Sequence, residues 1–222
     1  MSHGLRIVLL GRQGAGKGTQ AQLLADNYGV EHLSTGDLLR AAAQAGTPAG
    51  LEAKRFMDAG ELVPDNITVR VVEERFAGDF LEHGFVLDGF PRTLTQAEVL
   101  ETVLDGHSLD LVLDLEVPTE IVLDRIAGRR VCVQCGTTYH VSNPPSSDWT
   151  CDNCGGHVVQ RDDDTEDAVS RRLEIYEIET VPIIEFYRKV GKLVVVDGVD
   201  ETEVVFKRLV DVIEQRFDPN SE

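Results

Sequence analysis

Leu5-Arg6-Ile7-Val8-Leu9-Leu10 runs directly into Gly11-Arg12-Gln13-Gly14-Ala15-Gly16-Lys17-Gly18-Thr19, and this junction constrains the chain more than any other stretch. A short apolar run, partly β-branched and ending at glycine, predicts a strand of a parallel sheet buried on both faces. The glycines that follow let the backbone wrap closely and turn successive N–H groups inward. A helix predicted from Lys17 to Tyr28, stopped by Gly29, adds its positive dipole end at the same place. A bare glycine-rich turn would need none of this. The arrangement is a cradle for phosphate, with Gly14, Ala15, Gly16, Lys17, Gly18 and Thr19 around it. Lys17 can reach the outer phosphates of a nucleotide, and Thr19 is placed to help with its metal ion. The general pattern puts Ser or Thr directly after the lysine; the intervening Gly18 narrows the subfamily.

The rest of the chain repeats the alternation. Strands are predicted ending near Ser34, at Phe85–Asp88, at Leu109–Leu115 and at Leu193–Asp197. Helices are predicted over Asp37–Ala45, Pro48–Ala59, Asp65–Ala77, Thr95–Leu104, Pro118–Ile126, Thr165–Lys189 and Glu201–Arg216, with Pro182 expected to kink the sixth of these. Alternating strands and helices imply an α/β fold: a five-stranded parallel sheet with helices on both faces. Residues 128–164 break the rhythm with four Cys and little periodicity, as an insertion would. No apolar run approaches the ~20 residues that span a bilayer. The N-terminus lacks the features of a signal peptide, so a cytoplasmic protein is expected.

Charge narrows the partners. Asp and Glu number 39 against 21 Lys and Arg, a net charge of -18. A nucleic-acid-coating surface normally needs the opposite balance. The acidity serves solubility, or adaptation to high salt. Sixteen of the 21 basic residues are Arg, which suits a site that grips phosphates with planar forks.

Two further segments follow predicted strands. Asp88-Gly89-Phe90-Pro91-Arg92 puts a carboxylate beside the cradle, where it can hold a magnesium-bound water. Ser34-Thr35-Gly36-Asp37-Leu38-Leu39-Arg40 could by itself be a helix cap at Asp37 and a solvated Arg40. Together with the glycine loop, with Asp124-Arg125-Ile126-Ala127-Gly128-Arg129-Arg130 and with Val196-Asp197-Gly198, these segments closely resemble the adenylate kinase family, in family order and almost end to end. The resemblance implies transfer of a phosphoryl group from ATP to AMP, giving two ADP, with Mg²⁺. It implies a core (1–33, 64–127 and 165–222), a flap over AMP (34–63) and a lid over ATP (128–164), in a monomer.

By the same resemblance, Gly14 to Thr19 bind the ATP phosphates, with Asp88 and Thr19 near Mg²⁺ through water. Thr35, Arg40, Glu61, Leu62, Val63, Gly89, Phe90, Pro91, Arg92 and Gln96 surround AMP. Arg129, Thr138 and Tyr139 meet ATP from the lid, Arg125 lies near its base, and the Asp200 backbone touches adenine. Arg161 and Arg172 clamp the phosphates being exchanged. One departure is Arg12-Gln13, where the family usually has Ala-Pro, which alters the loop's rigidity and local charge. The chemistry asks for such a ring of cations, because positioning and charge neutralisation do most of the work in phosphoryl transfer. No general base is demanded, and the six His residues are read as surface or structural.

Cys132-Val133-Gln134-Cys135 and Cys151-Asp152-Asn153-Cys154 form two C-x2-C knuckles with fifteen residues between them. Four thiolates at this spacing fill a tetrahedral zinc shell, which makes the metal structural. Two disulfides are the alternative, disfavoured in the cytoplasm. His140 and His157 could compete as ligands, but four Cys suffice. The segment resembles the zinc-bearing version of the adenylate kinase lid.

Two rivals remain. Kinases of UMP or CMP tend to carry a smaller residue at the Thr35 position and Asn after the Pro-Arg; Thr35, Thr93 and Gln96 favour adenine. A zinc ribbon that binds nucleic acid should be basic. Residues 128–164 instead hold three Arg against Asp148, Asp152, Asp162, Asp163 and Asp164.

Overall fold

A computed structural model describes residues 4–76, 80–104 and 106–217. In chain order the elements are β1 (Arg6–Leu10), α1 (Lys17–Tyr28), β2 (Glu31–Ser34), α2 (Thr35–Gln44), α3 (Pro48–Asp58), α4 (Asp65–Phe76), α5 (Phe80–His83), β3 (Phe85–Asp88), α6 (Leu94–Val103), β4 (Leu111–Glu116) and α7 (Thr119–Gly128). Then come β5 (Arg129–Cys132), β6 (Thr138–His140), β7 (Val158–Val159), α8 (Glu166–Ile175), a π turn (Tyr176–Thr180), α9 (Val181–Lys189), β8 (Leu193–Asp197) and α10 (Thr202–Phe217).

The main sheet is parallel, in the order β2-β3-β1-β4-β8. Because side chains alternate along a strand, β1 feeds two cores. Ile7 and Leu9 join α1, α7 and α10 through Leu24, Val122 and Leu209. Val8 and Leu10 join α4, α6 and α9 through Val72, Leu100 and Ile183. All five strands of the expected sheet are present, with helices on both faces. Leu39, Ala53, Val63 and Ile67 form a separate small core among α2, α3 and α4.

Three details differ from the sequence reading. Pro182 does not simply kink one long helix. Lacking an N–H, and with a ring that would clash with the carbonyl four residues back, it cannot continue the α pattern. The chain inserts the π turn just before it, where Val181 N–H donates to the Tyr176 carbonyl five residues back. The cysteine-rich stretch is not irregular throughout: β5 is central in an antiparallel sheet ordered β6-β5-β7. Strands of two to four residues are too short to show periodicity. The same holds for the four-residue α5, which sequence reading passed over. The expected end of α4 at Ala77 lies outside the described residues.

Candidate active site

The cradle is built where β1 ends. Gly14 adopts φ +83°, and a Cβ there would lie 2.8 Å from Ile126 Cγ1 and 2.9 Å from the Val122 carbonyl, so only glycine lets the loop rest on α7. Gly16 caps α1 in a left-handed conformation without a side-chain bond to the first turn. The first N–H groups of a helix are left free by its own hydrogen-bond pattern, and an anion can take them. Lys17 Nζ donates to the carbonyls of Gly11 at 2.7 Å and Arg12 at 2.9 Å. Burial pushes its pKa down to about 8; Asp88 opposes this, while Arg92 and Arg129 reinforce it. The charge of an arriving phosphate would offset both the desolvation penalty and the repulsion.

Asp88 ends β3 in register with Leu9, and its carboxylate lies against Gly18. The neighbouring turn is tied down from three sides. Thr35 Oγ1 donates to the Gly89 carbonyl at 2.9 Å, Arg92 Nε donates to the same carbonyl at 2.9 Å, and Arg92 N–H donates to Gln96 Oε1 at 2.8 Å. Gln96 Nε2 and Thr93 Oγ1 donate to the two oxygens of Asp65. Phe90 and Pro91 are buried beneath. The Arg92 side chain reaches solvent in the cleft, yet its surroundings push the guanidinium down to about 10 by desolvation, with Arg172, Arg40 and Arg161 adding repulsion. Asp37 does not cap α2; Ser34 does, accepting from the Asp37 N–H, and Asp37 instead pairs with Arg40. Glu61 and Leu62 line an open cavity of about 330 Å³ with Ile175 and Ile178, and Val63 is buried.

The remaining arginines meet at aspartates. Arg161 donates to both oxygens of Asp163, at 2.9 and 2.6 Å. Arg172 donates to Asp163 Oδ2 at 2.7 Å, to the Asp163 carbonyl at 3.1 Å and to the Met57 carbonyl at 2.7 Å. Burial alone would raise the Asp163 carboxyl; hydrogen bonds and charge from Arg161 and Arg172 outweigh it and hold the group well below the usual carboxylate range. Arg129 grips Asp164 with two nitrogens, one at 2.8 Å. The carboxylates hold planar forks whose geometry suits phosphate oxygens equally well. At the rim, Arg125 donates to the carbonyls of Ala15, Gly198 and Asp200.

The four cysteines converge. Their sulfurs lie within 4.8 Å of one another, with Cys132 and Cys154 at 3.5 Å and Cys135 and Cys151 at 3.6 Å. Disulfide sulfurs would sit at about 2.05 Å, whereas tetrahedral thiolates ~2.3 Å from one zinc ion stand a little under 4 Å apart, which the cluster fits. The Tyr139 hydroxyl donates to Cys151 Sγ at 3.4 Å and accepts from the Asp152 N–H at 2.8 Å. The first of these bonds holds the Cys151 thiol below its usual range, toward the thiolate that a metal takes. Thr138 is exposed beside it.

A family model described as adenylate kinase matches residues 9–192. The chain belongs to the adenylate kinase family. It is 49% identical over 205 residues to the adenylate kinase of a Geobacillus strain, covering 91% of this chain and 95% of that protein. It is 49% identical over 212 residues to that of Methanosarcina mazei, covering 94% and 98%, and 47% identical over 212 residues to that of Bacillus subtilis, with the same coverage. The chain is thus an ATP:AMP phosphotransferase. Among the described residues no helix is long and apolar enough to cross a membrane.

Sequence reading missed several residues of this site. Asp163 and Asp164 appeared only as acidity that excludes nucleic acid, although an acidic triplet beside Arg161 could have signalled pairing. Asp114 carried a signal too, as a carboxylate inside the apolar run of β4. Burial raises its pKa, and Tyr176 donates to it at 3.4 Å. Asp65, Tyr176 and Glu177 carried none.

Proposed function

We propose that ATP lies in the Gly14–Thr19 cradle and AMP against Thr35, Arg40, Glu61–Val63, Gly89–Arg92 and Gln96, with residues 34–63 acting as a flap over AMP and 128–164 as a lid over ATP. Lys17 and Arg129 neutralise the ATP phosphates, and Arg92, Arg161 and Arg172 hold the group passing between the nucleotides. Asp88 and Thr19 hold Mg²⁺ through water, which supplies charge neutralisation at the phosphates when bound. Arg125 and the Asp200 backbone border adenine, and Thr138 and Tyr139 border ATP from the lid. The carrying observation is the convergence of Lys17, Arg92, Arg129, Arg161 and Arg172 on one cleft beside Asp88. Asp88, Asp163 and Asp164 balance only part of their charge, and two nucleotides brought end to end supply the rest. The protein works as a cytoplasmic monomer.

A coupled assay of Mg-ATP with AMP, GMP, UMP and CMP tests the acceptor. AMP is expected to be preferred by well over tenfold, because Thr35, Thr93 and Gln96 are held in fixed geometry on that side. Equal rates with UMP or CMP would overturn the assignment of the AMP flap.

Cys132, Cys135, Cys151 and Cys154 hold a structural zinc ion. The lid core consists of two of these cysteines with Val158 and Tyr139, too little apolar surface to fold the segment unaided. Metal analysis is expected to give one zinc per chain. Chelation is expected to lower the unfolding midpoint by about 10 °C, since a domain of this size loses ~2–4 °C per kcal/mol. Metal-free protein with the same midpoint would refute the site.

A further inference from the structure

Arg12 and Gln13, the pair that departs from the family's usual Ala-Pro, both reach out of the phosphate loop. Arg12 donates from Nε at 3.1 Å and Nη2 at 2.5 Å to Glu177 on the π turn, and lies over the Tyr176 ring with its Cζ 5.6 Å from the centroid. That pair is exposed and contributes little energy by itself. Gln13 is different. Its Nε2 donates to Asp164 Oδ1 at 3.2 Å, and the Asp164 side chain is completely buried. The same carboxylate carries the Arg129 fork. One buried anion therefore joins the loop that cradles phosphate to the arginine that opens the lid segment.

The other end of the Gln13 amide is buried without a hydrogen-bond partner among the described residues. Turning the amide over would press its oxygen against the carboxylate, so Asp164 dictates which end faces it. An unpaired buried acceptor is costly, and alanine or proline at this position would avoid it. What the glutamine supplies in return is its donor. We propose that Gln13 is a positioning residue that sets the Arg129 fork through Asp164, coupling the phosphate loop to the lid. Its donor takes part of the negative charge of Asp164 Oδ1 and fixes the carboxylate in space. Arg129 is thereby held at a set distance from the cradle, and a loop filled by phosphates is transmitted to it. The inference rests on the reading that Arg129 meets ATP.

Steady-state kinetics with each nucleotide varied separately test it. Gln13→Ala is expected to raise KM for ATP about five- to tenfold, somewhat less than a whole hydrogen bond to a charged group because Gln13 acts through Asp164, with KM for AMP changed less than twofold. Gln13→Glu keeps the shape but sets an acceptor against Asp164, so its loss is expected to be larger. Gln13→Met keeps the length of the side chain without the donor, and is expected to raise KM for ATP as much as Gln13→Ala. Trp149, the sole tryptophan and part of the lid segment, provides a second readout: its fluorescence response to ATP should need more ATP in each variant. Equal rises in both KM values, or an unchanged KM for ATP in Gln13→Met, would overturn the proposal in favour of a purely structural role. Arg129→Lys separates the two readings. If it leaves KM for ATP unchanged, the placement of Arg129 on ATP fails. If it raises KM while Gln13→Ala and Gln13→Glu do not, only the role of Gln13 fails.

Discussion

Lys17→Ala is expected to reduce turnover roughly 10²–10³-fold, or ~3–4 kcal/mol of barrier, with little change in the unfolding midpoint. Lys17 sits at the cradle with its ammonium on two loop carbonyls, and its charge is already penalised by burial. Removing it costs the fold little, since burial of the ammonium offsets much of what its two hydrogen bonds contribute. Removing it costs the reaction much. A preorganised cation in a partly desolvated site acts on charge that grows at the transferring group, and bulk water cannot substitute for it. Turnover measured with saturating ATP and AMP, alongside a thermal melt, separates the two effects. Near-normal turnover would remove Lys17 from the reaction.

Arg172→Lys, which preserves the charge, is expected to lower turnover by at least about tenfold. In the structure two nitrogens of this guanidinium make three bonds, to the Asp163 carboxylate, the Asp163 carbonyl and the Met57 carbonyl. The plane of the fork is thus fixed by the end of α3 on one side and by Asp163 on the other. An ammonium on a flexible stem cannot span those partners together, and it presents a point charge where a phosphoryl group wants two parallel donors. The loss should fall mainly on kcat, because the fork is needed most when both nucleotides are in place. Wild-type turnover in a folded Arg172→Lys protein would show that charge alone suffices.

The phosphate loop, the Asp88 turn and the parallel α/β order were legible because each is local: a strand, a glycine pattern and a helix start lie within about a dozen residues of one another. The C-x2-C knuckles were legible for the same reason, since ligand spacing along the chain is itself the signal. Arg129, Arg161 and Arg172 could be named from the family pattern, but not their partners. Residues 161 to 164 read only as an arginine beside a run of acid, and only folding shows Asp163 holding two forks while Asp164 takes a third. The same limit hid the bond from the Tyr139 hydroxyl to Cys151, since the family pattern named Tyr139 only as a contact to ATP. It also hid the link from Gln13 to Asp164, across 151 residues. Pro182 could announce an interruption, but whether a helix answers with a kink or a π turn depends on what its neighbours pack against. Backbone preference and ligand spacing are written along the chain, whereas the pairing of distant charges exists only once the sheet has brought their elements together.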